Sequence, residues 1–303
     1  MDMNSSMFSD LVEPTLNKIF DGTYARLPPE WSMIFDVEEG QRARFQETTL
    51  LYGLGLAVEK PEGMGVASDQ GGISYRVRMT YRTFGLSFGL TEEMVEDSAS
   101  LNLGATFAEH LAKSMYETKE YVHADIFNRS DNASYTLGDG VPLLSGSHPF
   151  AVGGTWSNQP PSPADMSEAA LESLLIQIKL AKDDRGLPIA LKAMDLIVAP
   201  QIWYDALRIL RSTLQSGTAN NDINAIRNTN SLPNDPISLT RTTKSSGYWI
   251  KTNSPNGLKH YRRRPIKKGM EGDFDTGNMR YKSTERYVCG VENPRCIFGS
   301  TGI

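Results

Sequence analysis

Four histidines, two cysteines and one dense basic run are the residues of this 303-residue sequence whose types and spacing could do chemistry. Ser145, Ser147 and His148 sit together in a Gly/Pro loop, and a serine beside a histidine is the raw material of a nucleophile and its base. A hydrolase also needs an acid and an oxyanion hole, and no Gly-x-Ser-x-Gly elbow frames these residues. The competing reading is a turn whose hydroxyls bond its own backbone. His110 and His123 are thirteen positions apart and share no i, i+4 helical face. With His148 and His260 they make no His-Glu-x-x-His zinc pattern. Asp273 to Asn278 resembles the start of a calcium loop but lacks the closing Glu. Gly53-Leu54-Gly55 opens like a dinucleotide fingerprint, yet a third Gly and a framing strand and helix are missing. Cys289 and Cys296 are too few for a disulfide framework and read as buried free thiols. The expectation is a structural protein with no catalytic, metal or cofactor site.

The basic run is Lys259-His260-Tyr261-Arg262-Arg263-Arg264-Pro265-Ile266-Lys267-Lys268. Its functional reading is a sequence-blind contact to nucleic-acid phosphates through Lys259, Arg262, Arg263, Arg264, Lys267 and Lys268. The alternative is a strand edge paired with acids of the same or a neighbouring subunit. Charge is divided unevenly along the chain. Residues 1–150 carry a net −11 and residues 151–303 a net +6, an asymmetry that suits self-association or pairing within one subunit.

The elements that must position these residues follow from pattern. Residues 1–48 read as an extended arm, with eight acids against two bases over positions 1–39 and Pro28-Pro29 forbidding a continuous helix. Such a segment is either mobile or laid on something else. Residues 49–88 read as a long two-stranded loop bent by glycines. On its return limb Ile73, Tyr75, Val77, Met79 and Tyr81 alternate with polar residues. The parity then flips to Phe84, Leu86, Phe88 and Leu90, which predicts a strand leaving one layer for another. Thr91-Glu92-Glu93-Met94 is a helix-start signal, and Leu103, Phe107, Leu111, Met115, Val122 and Ile126 predict a rod of about 25 residues. Ser162, Pro163 and Asp165 suggest a capped start for a helix carrying Leu171, Leu174, Leu175 and Ile178. A strand at Leu196–Ala199, a helix with Trp203, Ala206, Leu207 and Leu210, a polar stretch over 215–240 and strands from Tyr248 onward complete an α+β order. No run of residues is apolar enough to span a membrane.

Within this order lie Leu143-Leu144-Ser145-Gly146-Ser147-His148-Pro149 and Gly153-Gly154-Thr155-Trp156-Ser157-Asn158. They are followed by Asp184-Arg185-Gly186-Leu187-Pro188-Ile189 and Asp195-Leu196-Ile197-Val198-Ala199-Pro200. In these residues and their order the chain resembles the tailed-bacteriophage major capsid proteins of the Hong Kong 97 fold. The resemblance implies an N-terminal arm (1–48), an extended loop (49–88) and a peripheral domain with a long spine helix (89–163). It further implies an axial domain (164–265) and a return to the peripheral domain (266–303). It implies self-assembly as pentamers and hexamers into an icosahedral shell around double-stranded DNA, within a virion assembled in the host cytoplasm. The implied partners are other copies of the chain, a portal, a cement protein and the packaged DNA. Arm-like text begins almost at Met1, so a separate scaffolding protein, or a chain already trimmed, is expected. Lys60 is the only lysine in 49–88 and the only donor there for the family's covalent crosslink. Charge placement suggests that Asp36, Glu38 and Glu39 of one subunit meet Arg76, Arg78 and Arg82 of another. Arm and loop are expected to complete their packing only against other copies. The alternatives are a nanocompartment shell of the same fold, a nucleic-acid-binding protein led by 259–268, and a hydrolase using Ser145 and His148.

Overall fold

The structure is a computed structural model that describes residues 5–91, 100–214, 223–272 and 278–302. The chain opens with helix α1 (Ser5–Arg26), a single turn α2 (Trp31–Ile34) and strand β1 (Asp36–Glu39). Strands β2 (Phe45–Tyr52), β3 (Gly72–Thr80) and β4 (Arg82–Leu90) follow, then helix α3 (Ser100–Asn128). A small hairpin of β5 (His148–Pro149) and β6 (Thr155–Trp156) precedes helix α4 (Glu168–Lys179). Strand β7 (Ala193–Val198), helices α5 (Trp203–Arg211) and α6 (Ala225–Asn228), and strands β8 (Ile237–Ser238) and β9 (Tyr248–Thr252) come next. Two long strands, β10 (Leu258–Gly272) and β11 (Met279–Val291), lead to the last strand, β12 (Ile297–Ser300).

Two four-stranded sheets organise these elements. The first has the order β1-β10-β11-β4, the second β12-β9-β7-β8, and β2 with β3 forms a separate ribbon. The parity flip after Tyr81 marks a real change of layer: β3 pairs with β2, whereas β4 pairs with β11. The glutamates at 92 and 93 that signal a helix start lie outside the described residues, as do 215–222 and the acidic turn at 273–277.

The inner face of the first sheet is set by alternation along β11, where Met279, Tyr281, Ser283, Glu285 and Tyr287 are buried. Helix α3 lies against this face. Its buried stripe runs through Ala108, Leu111, Ala112 and Met115, while Leu103 and Phe107, expected on that stripe, are 39% and 41% exposed. The two alanines have a physical role: they let α1 approach closely, so that Leu16 and Phe20 pack on them and on Tyr281. Residues 5–26 are therefore helical rather than extended, and they cover their own subunit. The expectation that this segment packs only against other copies is corrected. Leu16, Ile19, Phe20 and Tyr24 do carry helical spacing, hidden by the acid-rich composition. The helix stops at Arg26, just ahead of Pro28 and Pro29.

Further along α3 the buried stripe becomes polar. Lys119 Nζ lies 2.5 Å from Glu285 Oε1, with both side chains under 10% exposed. The ammonium also sits 5.3 Å from the Trp31 and Tyr287 rings and 5.9 Å from Tyr24. Glu120, the next residue, accepts the backbone N–H groups of Glu30 (2.9 Å) and Trp31 (3.2 Å) and so anchors α2. Burial and the nearby Glu30 raise the Glu120 carboxyl above its usual range. One turn on, His123 Nε2 lies 2.9 Å from His260 Nδ1, and His123 Nδ1 lies 2.6 Å from the Lys119 carbonyl. Donation from His123 Nδ1 to that carbonyl leaves Nε2 to accept from His260. Trp31 stacks on His123 and lies tilted against His260, with Phe35 and Tyr287 beside them.

Around the second sheet, Leu171, Leu174, Leu175 and Ile178 of α4 pack with Leu196, Val198, Tyr248, Ile250 and Phe298. The helix begins later than Ser162-Pro163-Asp165 suggests. Its cap is Ser167, whose Oγ accepts the Ala170 N–H at 3.2 Å. The expected return of 266–303 to the first sheet is only partly what happens. Strand β12 pairs with β9 and completes the second sheet. The expected division at 265 falls inside β10, which belongs wholly to the first sheet.

Two predictions follow from this core. Removing one charge of the Lys119–Glu285 pair strands the other out of water. Lys119→Met should lower unfolding free energy by about 3–5 kcal/mol in urea titrations, and Lys119→Met with Glu285→Leu should recover most of it. Burial holds the His123 and His260 imidazoles down at about 3 from an ordinary 6.5. In the folded chain these two rings thus stay neutral where they bind protons in the unfolded chain. This contribution is complete above pH 6.5 and is lost as pH falls toward about 3, by roughly 1.4 kcal/mol per pH unit for each ring. His260→Gln should remove roughly half of that slope in denaturation midpoints measured across the acid range.

Candidate functional site

The serine–histidine loop does not assemble a nucleophile. His148 is fully buried, its Nδ1 is 2.6 Å from Asp139 Oδ2, and its ring stacks on Trp156 at 4.6 Å. Its Nε2 has no hydrogen-bond partner, so neither serine hydroxyl reaches it. Ser145 Oγ instead accepts the Ser147 N–H at 3.2 Å. Here the hydrolase reading fails and the turn reading holds. Asn158, in the same stretch, is the clasp. Its Oδ1 accepts the Ser145 N–H at 2.9 Å, and its Nδ2 donates to the Leu143 and Ile297 carbonyls at 2.6 and 3.0 Å. The segment ties the loop to β12. Both cysteines are free, and burial pushes each thiol up to about 12, which leaves them unreactive. Among the described residues no three His, Cys, Asp or Glu side chains gather as a metal site.

The charged residues are more informative. Asp36 and Glu38 engage Lys259 at 3.5 and 2.6 Å, Asp36 also reaches Lys251 at 3.6 Å, and Glu39 pairs with Arg262. Parallel pairing of β1 with β10 places Asp36 beside Lys259 and Glu39 beside Arg262. These acids are thus held within their own subunit by the basic run and are not free for the ribbon arginines. Lys268 reaches back to Asp21 of α1 at 2.6 Å. The run is split: three of its members are neutralised in the chain, while Arg263, Arg264 and Lys267 meet no acid among the described residues. On the ribbon, Arg78 pairs with Glu47 at 2.8 Å and lies over Phe45, and Arg76 is exposed, while Arg82 belongs to β4 of the first sheet and lies over Phe84.

The ribbon is the feature that projects. Its root is fastened: Val77, Met79 and Tyr81 pack on Tyr261 and Val288. Buried Glu292 accepts the Thr48 and Tyr261 hydroxyls at 2.5 and 2.6 Å. A Cβ on Gly138 would stand 2.8 Å from both Tyr75 and Val77, so only glycine lets that loop close on the ribbon. Beyond Tyr52 the chain has no strand until Gly72, and this tip carries Leu54, Leu56, Val58, Met64 and Val66, all well exposed. Lys60 is exposed there too. One tether holds the tip to the body. Asp69 accepts the Gly55 and Gln70 N–H groups, which lower its carboxyl below the usual range, aided by Arg185 at 2.9 Å. Arg185 stands in the Asp183–Leu187 turn, where Asp183 Oδ1 accepts two backbone N–H groups and Gly186 takes φ +82°. The Asp-Arg-Gly motif thus serves as the ribbon's rest.

The chain as a whole is similar to known proteins. The family model for phage capsid proteins matches residues 70–299. No curated protein sequence matches the chain. Among solved structures, the capsid of the cyanophage P-SCSP1u superposes with TM-score 0.56 at 8% identity, over 89% of this chain and 86% of that one. The capsid of Myoviridae phage XM1 gives 0.51 at 12% identity, over 89% of each chain. The holo-SrpI encapsulin complex from Synechococcus elongatus PCC 7942 gives 0.52 at 11% identity, over 91% and 88%. Identities this low speak for the fold, and the family match speaks for descent. The chain belongs to the phage capsid protein family, as a shell-forming major capsid protein of the Hong Kong 97-type fold.

Proposed function

We propose that the chain self-assembles as pentamers and hexamers into an icosahedral shell that encloses double-stranded DNA. The observation that carries this reading is the ribbon tip, where five large apolar side chains stand between 59% and 81% exposed. Five large apolar side chains left in water on one short loop suit a site that another surface covers. A second copy is the natural cover in a family of shell proteins. In this reading the second sheet with α4 and α5 forms the axial unit around the five-fold and six-fold axes. The first sheet with α3 forms the peripheral unit. Arg76, Arg78 and Arg82 face the neighbour that the ribbon crosses, and individually weak pairs act there in number. Assembly proceeds in the host cytoplasm with a separate scaffolding protein, a portal and a cement protein.

A nanocompartment that holds protein cargo is the second reading, favoured by the likeness to the SrpI encapsulin. Nuclease-protected DNA inside purified particles supports the first reading, and a stoichiometric protein guest supports the second.

Negative-stain images and size-exclusion profiles of the full chain should display particles tens of nanometres across. Leu56→Glu with Val66→Glu should abolish the particles while moving unfolding free energy by no more than about 0.5 kcal/mol, as exposed positions do. Normal particle yields from that variant would remove the apolar tip from the assembly mechanism.

A further inference from the structure

The three consecutive arginines of β10 are separated by the shape of the strand. Arg262 stands opposite Tyr287, but Arg264 stands opposite Arg286, the very next residue back along β11, so Arg263 occupies a bulge. A second irregularity lies between Arg264 and Lys267. Arg262 turns to Glu39, whereas Arg264 donates to the Thr284 hydroxyl at 3.0 Å on the opposite face of the sheet from α3. Arg264 and Arg286 are like charges directly across a ladder, an arrangement that costs stability unless an anion lies between or over them. The Nε of Arg263 and the Nε of Arg286 are both buried with no hydrogen-bond partner. Side chains already held against the protein lose less freedom when they take an anion.

The strip continues down the same face through Lys267, opposite Thr284, to Lys282 and Arg280. Glu271 stands across from Arg280 and lies 3.9 Å from Lys282. From Arg286 to Arg280 the strip is about 20 Å long, and that is the length of roughly six base pairs of duplex. Beside it β4 offers only Thr83, Gly85, Ser87 and Gly89 to this face. Protein interfaces have an apolar or aromatic centre, and this strip has none. Nucleic-acid interfaces are polar and strongly positive, and guanidinium forks fit phosphate oxygens.

We propose that this outer sheet face, centred on Arg263, Arg264, Lys267 and Arg286, is the surface that contacts the phosphate backbone of the enclosed nucleic acid. Lys259, Arg262 and Lys268 of the same basic run take no part, being neutralised within the chain. The proposal rests on the reading of a DNA-enclosing shell and adds to it which face meets the DNA.

Fluorescence anisotropy of a short mixed-sequence duplex DNA with the unassembled full chain, over a salt series, tests it. Binding should be insensitive to sequence and weaken with salt. Arg263→Gln, Arg264→Gln and Arg286→Gln together should lower affinity at least about tenfold and reduce the log–log salt slope by about three. Lys259→Gln with Arg262→Gln should leave the slope unchanged. Should the triple variant fail to fold, Arg264→Gln alone should reduce the slope by about one. No salt-dependent binding by the native chain would overturn the proposal, as would an unchanged slope in the arginine variants. Loss of particles with DNA binding intact would also overturn it and give the arginines to the acids of a second copy. Particle formation is read separately by negative stain, so normal shells without DNA binding would sink this surface and leave the shell reading standing.

Discussion

The fold turns on one buried charge. Lys119 brings an ammonium into a place where α1, α2, α3 and β11 converge, and Glu285 meets it there at 2.5 Å. An ion pair out of water is weak evidence for stability but strong evidence for geometry, because neither charge tolerates a misplaced partner. Tyr24, Trp31 and Tyr287 close over the pair, and each comes from a different part of the chain. The neighbouring Glu120 and His123 extend the same logic by fixing α2 and β10 to the helix through hydrogen bonds. Greasy contacts alone would let α1 slide along α3, whereas Tyr24 beside the ammonium, the Asn17–Tyr281 hydrogen bond and the Asp21–Lys268 pair set its position.

From that fixed point the protein divides into what is settled within one subunit and what is left open. The acidic N-terminal region is settled: Asp21, Asp36, Glu38 and Glu39 all find bases of β10 or β9. Part of the uneven charge along the sequence is therefore balanced inside the molecule. What stays open is apolar at the ribbon tip and basic on the outer sheet face, two surfaces of opposite character that suit two kinds of neighbour.

Much of this was legible in the residues. The period-two run from Ile73 to Tyr81 and the parity flip after it locate the change of sheet, since a pleated strand has no other way to move its apolar side. The buried stripe of α4 reads directly from Leu171, Leu174, Leu175 and Ile178. Helix α1 was harder to see, because eight acids lower the apolar content of 1–39 and the covering surface comes from alanines far away in sequence. The stripe of α3 misled for a related reason: Ala108 and Ala112 matter by being small, whereas pattern reading rewards large side chains such as Leu103 and Phe107. Pairing of Asp36, Glu38 and Glu39 with β10 was invisible because parallel strands more than two hundred residues apart leave no local trace. Of the basic run, the sequence shows the charge but not the bulge that sorts it into paired and unpaired members.

The order of the strands has a consequence for how the polypeptide is made. The first sheet joins residues 36–39 and 82–90 to 258–272 and 279–291, and the second is closed by residues 297–300. Neither can zip up until these late strands have been translated, so the emerging chain must carry unpaired strand edges while residues 40–257 are made. A polypeptide released early from the ribosome would lack the central strands of one sheet and the closing strand of the other. Such a fragment would be marked for chaperones or proteases rather than admitted to a lattice, which makes topology a form of quality control on length.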